Sequence, residues 1–282
     1  MLMVWVALAV AGAALAGPDW IEGGENDGDF LPDAGPLPDS SQPVPIPGPL
    51  GSLTGSLKGA APITEAGLGL PPDFEDMYLV RVDDFAQFFV STESPPLLTA
   101  TEGVPQAATA TLYLFTGPDH PAGPGLGLLA NQQCPTCQQS GGATLTGTPT
   151  DGSPIDNLIP GLRYFLAISG DGRFPVDALG RPIFAFSPTN PFEVSGPDGA
   201  GGGSPIAGWA GPGVAGQYIL RQISGVSGAR HPPDLNGDGR VNGADITFVL
   251  NVFGAIANLA DLNGDGVVNG PDISLILNAW TG

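Results

Sequence analysis

From about Leu50 to Gly225 the chain alternates short apolar or β-branched runs with Gly/Pro turns: SLTGSL, MYLVRV, AQFFVST, ATLYLFT, GLGLLA, ATLTG, RYFLAIS, PIFAF and GQYILRQIS. Runs of this length, each bounded by turn residues, predict the strands of a β-sandwich or barrel. In ATLYLFT, Leu112, Leu114 and Thr116 occupy one parity and Tyr113 and Phe115 the other. Both sets are bulky, which predicts burial on both faces of that strand. The period then changes. Ile246, Val249, Leu250 and Phe253 fall at i, i+3, i+4, i+7, and Ile273, Ile276, Leu277 and Trp280 repeat the spacing. This predicts two short amphipathic helices that pack their apolar faces together. Residues 17–49 show little periodicity and read as an extended Pro/Gly-rich lead-in with at most one edge strand.

Composition sharpens this picture. Gly (44) and Pro (31) are abundant and aromatic residues make up 7 %, which favours turns and extended segments over long helices. Against 28 acidic residues there are 8 basic ones, a formal net charge of -20. Such a surface cannot displace counterions from phosphate, so no nucleic acid partner is expected. Residues 1–16, MLMVWVALAVAGAALA, form an uncharged apolar run too short to span a bilayer, ending in Ala14-Leu15-Ala16. The run reads as a secretory signal cut after Ala16, although no Lys or Arg precedes it. No other run is long enough for a membrane span, so a secreted or cell-surface protein is expected.

The chemistry lies in a duplication. DLNGDGRVNGADITFVLN, from Asp234, and DLNGDGVVNGPDISLILN, from Asp261, are identical at 13 of 18 positions. A hard divalent cation such as calcium takes six to eight oxygens, which a short loop supplies from acidic and amide side chains at alternate positions before a sharp turn. In the first loop Asp234, Asn236 and Asp238 offer side-chain oxygens, Gly239 permits the turn and Arg240 offers its carbonyl. Asn242 stands where a ligand or bridging water belongs, and Asp245 closes the shell. In the second loop the same parts are Asp261, Asn263, Asp265, Gly266, the Val267 carbonyl, Asn269 and Asp272. The pattern D-x-N-x-D-G-x5-D differs from the EF-hand loop in ending on Asp where that loop has Glu. Two calcium ions are expected. With three carboxylates repelling one another in each loop and a small apolar face, the tail is expected to unfold without metal.

These residues carry two resemblances. The duplicated calcium loop with a following helix and no preceding one resembles a type I dockerin domain. That resemblance implies docking onto a cohesin-like partner on a scaffold or cell surface. Dockerins often use Ser/Thr at the two positions before the last ligand, where this chain has Gly243-Ala244 and Gly270-Pro271. Upstream, DFEDMYLVRV, FFVST, ATLYLFT, GLGLLANQQ, PGLRYFLAISGDGRFPVDALG, SPIAGW and GQYILRQISG resemble the bacterial pre-peptidase C-terminal domain. This implies a jelly-roll-like β-sandwich with an accessory role, although Gln132-Gln133 stands where that family usually has Asp-Asp. The expected architecture is mainly β: a sandwich over 50–226, a linker over 227–233 and a small all-α, EF-hand-like module over 234–282.

The favoured function is calcium-dependent attachment in an extracellular assembly linked to polysaccharide binding or degradation. One alternative is a hydrolase of O-glycosyl bonds using carboxylates in the sandwich, such as Glu75/Asp76 or Asp83/Asp84, which read more simply as solvated turn residues. Another is a calcium-stabilised surface protein or adhesin without a cohesin partner. Neither G-x-S-x-G nor H-E-x-x-H is present, and His120 and His231 lie in Pro-rich segments. The only cysteines, Cys134 and Cys137, form a C-x-x-C followed by QQSGGATLTG, which opens no helix that would activate a thiol. In an exported chain this pattern predicts a local disulfide. Intact-mass measurement without reductant is expected to fall short of the reduced mass by two hydrogens; an unchanged mass with two alkylatable thiols would contradict the pairing.

Overall fold

The computed structural model describes residues 19–21, 34–44, 48–59, 73–93, 110–132, 142–154, 158–187, 190, 192–229, 233, 235, 241–255, 260, 262 and 267–281. The N-terminal apolar run, Cys134, Cys137 and His231 lie outside them. In chain order the elements are β1 (Asp19–Ile21), β2 (Gln42–Pro43), β3 (Ser52–Leu57), β4 (Glu75–Val82), β5 (Phe89–Glu93), β6 (Ala110–Thr116) and β7 (Gly127–Gln132). They continue with β8 (Thr144–Thr146), β9 (Arg163–Gly170), β10 (Phe174–Val176), β11 (Gly208–Ala210), β12 (Gly216–Ser224), β13 (Val226–Gly228), α1 (Gly243–Asn251) and α2 (Gly270–Asn278).

The strands form two principal sheets. One runs β1-β3-β12-β5-β8, and the other runs β13-β4-β9-β6-β7 with β2 added to β4. Pairing is antiparallel except where the lead-in joins: β1 lies parallel to β3 and β2 parallel to β4. The outer edge of β4 is shared, with β13 covering Val80–Val82 and β2 covering Tyr78–Leu79. The lead-in therefore supplies a short strand to each sheet, one more than its irregular sequence suggested. Strands of two or three residues carry too little pattern to be read in advance.

Strand parity explains the layering. On one face of the second sheet Tyr78, Val80, Leu112, Leu114, Leu166 and Ile168 meet Leu53, Leu57, Val90, Leu145 and Leu220 of the first. On the other face Met77, Leu79, Tyr113, Phe115, Phe165 and Ala167 form a second core with Ile183, Phe184 and Ile206. The second sheet is thus buried on both sides, as the two bulky parities of ATLYLFT predict, and every residue of β6 is buried. Full burial of one such side chain contributes ~1.5–3 kcal/mol.

The outer cover is irregular backbone, including PIFAF, which the apolar pattern assigns to a strand and which lies in no named strand of the structure. Some of its amides donate to backbone carbonyls, as Ile183 does to Pro175, and others to acidic side chains. Asp177 Oδ1 accepts from the Leu179 and Arg181 amides, Asp198 Oδ1 from the Ala185 amide, and Glu193 Oε1 from the Ser187 amide, each at 2.9 Å. Trp209 Nε1 donates to the Pro36 carbonyl at 2.7 Å and ties the lead-in to this cover.

The two sheets are also joined by a polar contact. Tyr218 on β12 donates its hydroxyl to Asp76 Oδ2 at 2.7 Å and meets the Tyr78 hydroxyl at 2.5 Å, all three side chains being buried. A hydrogen bond to a buried carboxylate is worth more than a neutral one. Tyr218→Phe is expected to lower unfolding free energy by about 1.5–3 kcal/mol and Tyr78→Phe by about half as much, measured by urea unfolding. Equal losses, or none, would show that Asp76 does not depend on Tyr218.

Candidate metal centre and docking face

The tail has its own core. Val241, Val249, Ala260, Leu262, Val268 and Ile276 form a cluster joined by Leu235, Ile246, Phe248, Val252, Ala255, Ile273, Leu275 and Ala279, all from the two repeats and the residues directly beside them. Of the expected ligands, Asn242, Asp245, Val267, Asn269 and Asp272 fall among the described residues. Asp234, Asn236, Asp238, Arg240, Asp261, Asn263 and Asp265 lie outside them.

Both closing aspartates are 0 % exposed, in the first turn of α1 and α2. Asp245 Oδ2 accepts the Asn242 amide at 2.8 Å, and Asp272 Oδ2 accepts the Asn269 amide at 2.8 Å. Each acid therefore caps the helix it belongs to, where the backbone dipole favours negative charge. Asp245 Oδ1 also accepts the Leu235 amide at 2.8 Å, which ties the beginning of the first loop to its end. Asn242 Oδ1 accepts the Ala244 amide at 2.8 Å, and Pro271 occupies the first turn of α2, where a missing N–H costs nothing.

These observations bear on whether a hard cation fits. The described donors are oxygen atoms only: two carboxylates, two amides and a backbone carbonyl. Two carboxylates held inside a core of six buried apolar side chains are what a divalent cation requires and what an ion-free loop tolerates poorly. Asn269 Nδ2 donates to the Val267 carbonyl at 3.0 Å, which brings two of the expected second-loop ligands together. The residues present fit calcium.

The helices keep the first half of each predicted face inward and turn the second half out. Ile246 and Val249 in α1, and Ile273 and Ile276 in α2, pack on the tail core as the spacing predicts, and they are joined there by Asp245, Phe248 and Val252 and by Asp272, Leu275 and Ala279. The inward face is thus centred nearer the N-terminus than the i, i+3, i+4, i+7 template places it, and it starts on the acid. A carboxylate that must face the loop sets the rotation of the helix following it. Leu250 (56 % exposed), Phe253 (55 %), Leu277 (55 %) and Trp280 (47 %), assigned to the packed faces by spacing, consequently lie outside. The repeat offset from Asp234 to Asp261 carries Leu250 onto Leu277 and Phe253 onto Trp280, so each unit presents the same apolar pair. Spacing alone missed this outward pair; the signal for it was an acidic side chain on the first turn.

Among the described residues the sandwich carboxylates do not form a comparable site. Glu75 and Asp76 are neighbours on β4 and therefore point to opposite faces, and both are buried, not solvated in a turn. Glu75 pairs with Arg173, whose guanidinium also donates to the Gly211 carbonyl at 2.7 Å. Burial holds the Glu75 carboxyl above its ordinary range, against the opposing pull of Arg173. Asp76 is engaged by Tyr218. Asp83 pairs with Arg81 at 2.8 Å, and Asp84 accepts the Ala86 amide in the β4–β5 turn at 2.8 Å. His120 is buried in a turn, its Nδ1 accepting the Ala122 amide at 3.2 Å.

Residues 232–279 match the family model of the Dockerin type I domain. A comparison with curated proteins finds no match for the chain. The C-terminal segment is therefore a dockerin type I domain, a non-catalytic module of the calcium-binding, cohesin-binding kind. Among the described residues no helix is long and apolar enough to cross a membrane.

Replacing either closing acid tests the centre. Asp245→Ala and Asp272→Ala are each expected to weaken calcium binding at their own loop by about 100-fold or more in calorimetry of the full chain, since each removes a helix cap and, on the expected ligand set, a metal ligand. Unchanged binding in both variants would remove these acids from the ligand set.

Proposed function

We propose that the protein is a secreted attachment protein in which two calcium ions order the C-terminal module and a cohesin-like partner then binds its outer face. The ligands of the first ion are Asp234, Asn236, Asp238, the Arg240 carbonyl, Asn242 and Asp245. Those of the second are Asp261, Asn263, Asp265, the Val267 carbonyl, Asn269 and Asp272. The observation that supports docking is the repeated outward apolar pair, Leu250/Phe253 and Leu277/Trp280, on a module too small to leave four large apolar side chains in water without use. Gly243-Ala244 and Gly270-Pro271 offer no hydroxyl at the positions dockerins often use, so recognition falls to these apolar groups.

The same reading makes the sandwich the cargo. Its resemblance to pre-peptidase C-terminal domains supports an accessory role, and an extracellular assembly acting on polysaccharide is the setting that suits it. The carboxylates that sequence suggested for hydrolysis are committed to ion pairs, turns and the inter-sheet contact, which weighs toward a non-enzymatic sandwich.

The test is a calcium-dependent binding assay of the full chain against a set of cohesin modules. Binding is expected in calcium and not in chelator, and Phe253→Ala with Trp280→Ala is expected to weaken it by about 30-fold or more, as loss of buried aromatic anchors does. A chain that loads calcium yet binds no cohesin would favour a calcium-stabilised surface protein instead.

A further inference from the structure

We propose that Thr281 is a positioning residue for the first calcium loop, and that each loop is held from outside by the helix exit of the opposite unit. The proposal rests on the two-ion reading above.

Thr281 follows α2, and Val241 lies in the first loop between Arg240 and Asn242. The Thr281 amide donates to the Val241 carbonyl at 3.0 Å, and the Val241 amide donates to Thr281 Oγ1 at 2.8 Å. Nothing local requires this contact, since the two residues are 40 positions apart. The repeat offset carries Val241 onto Val268 and Thr281 back onto Gly254. There the Gly254 amide donates to the Val268 carbonyl at 2.8 Å, and the Val268 amide donates to the Ala255 carbonyl at 3.0 Å. The same two-point grip thus occurs twice with the units exchanged: the exit of α1 holds the second loop and the exit of α2 holds the first.

The grip bears on the metal through peptide geometry. A trans peptide holds its C=O and N–H antiparallel in one plane. The amide of Val268 shares its plane with the Val267 carbonyl, and the amide of Val241 shares its plane with the Arg240 carbonyl, and these are the two backbone ligands. A cross-unit partner that fixes the N–H on one side fixes the carbonyl of the same peptide on the opposite side. The second loop receives this support from a backbone carbonyl. The first receives it from a hydroxyl, the one part of the grip that a side-chain substitution removes while the backbone stays intact.

The experiment follows calcium loading of the ¹⁵N-labelled full chain through the Gly239 and Gly266 amide signals, one in each loop. The wild type, Thr281→Val, which keeps the shape and loses the hydroxyl, and Thr281→Ser, which keeps it, are compared. Thr281→Val is expected to raise the first-loop Kd by about 3- to 10-fold, the worth of one hydrogen bond, with a change at the second loop of less than about twofold. Thr281→Ser is expected to bind like the wild type. An unchanged first-loop Kd in Thr281→Val, or equal weakening at both loops, would overturn the proposal while leaving two-ion binding standing. A wild type that loads no calcium at residues 234–245 would overturn the two-ion reading and this proposal with it.

Discussion

Backbone N–H groups outside regular ladders must find acceptors, and in this chain acidic side chains supply many of them. A fold with so much Gly- and Pro-bounded turn leaves long stretches where no neighbouring strand can accept. Asp84, Asp151, Asp177, Glu193 and Asp198 each receive at least one backbone amide in such a stretch. Arg181 adds its guanidinium to Asp177, and together with the amides it holds that carboxyl below its ordinary range. The large negative charge is therefore in part structural, spent on the irregular cover that seals the second face of the middle sheet. Without that cover Tyr113, Phe115 and Phe165 would face water.

The tail uses the same chemistry to a different end. Asp245 and Asp272 accept loop amides as the sandwich acids do, yet they sit inside an apolar cluster and at helix N-termini. A carboxylate in that position favours a cation, and the loops bring further oxygens of the same kind. The inward aim of these acids also turns each helix so that Leu250 and Leu277 face outward. One constraint thereby links metal binding to the face available for a partner.

Much of this was legible in the residues. The alternation in SLTGSL and the doubly bulky ATLYLFT gave the strand positions and the burial of β6 on both faces, and the 13 of 18 identities between the loops gave the duplication. What escaped was set by long-range contacts. β1, β2, β10, β11 and β13 have three residues or fewer and exist because partner strands lie beside them. PIFAF has the composition of a strand, but its apolar side chains pack from an irregular cover onto β6 and β9. The helix faces were read from hydrophobicity, which cannot see that an acid outranks a leucine for the inward position when it has a loop to close. Glu75 and Asp76 looked like turn residues because charge usually marks exposure; Arg173 and Tyr218, each far away in sequence, make their burial tolerable.

The central claim is that the tail holds its two helices together through bound calcium. Hydrogen exchange of the full chain, followed by mass spectrometry in calcium and in chelator, tests it most directly, because it reads Gly243–Asn251 and Gly270–Asn278 separately from the sandwich. The account predicts that both helices are protected in calcium and exchange rapidly in chelator, while β4, β6 and β9 keep their protection in either. Helices equally protected with and without calcium would contradict it and make the tail a metal-independent fold.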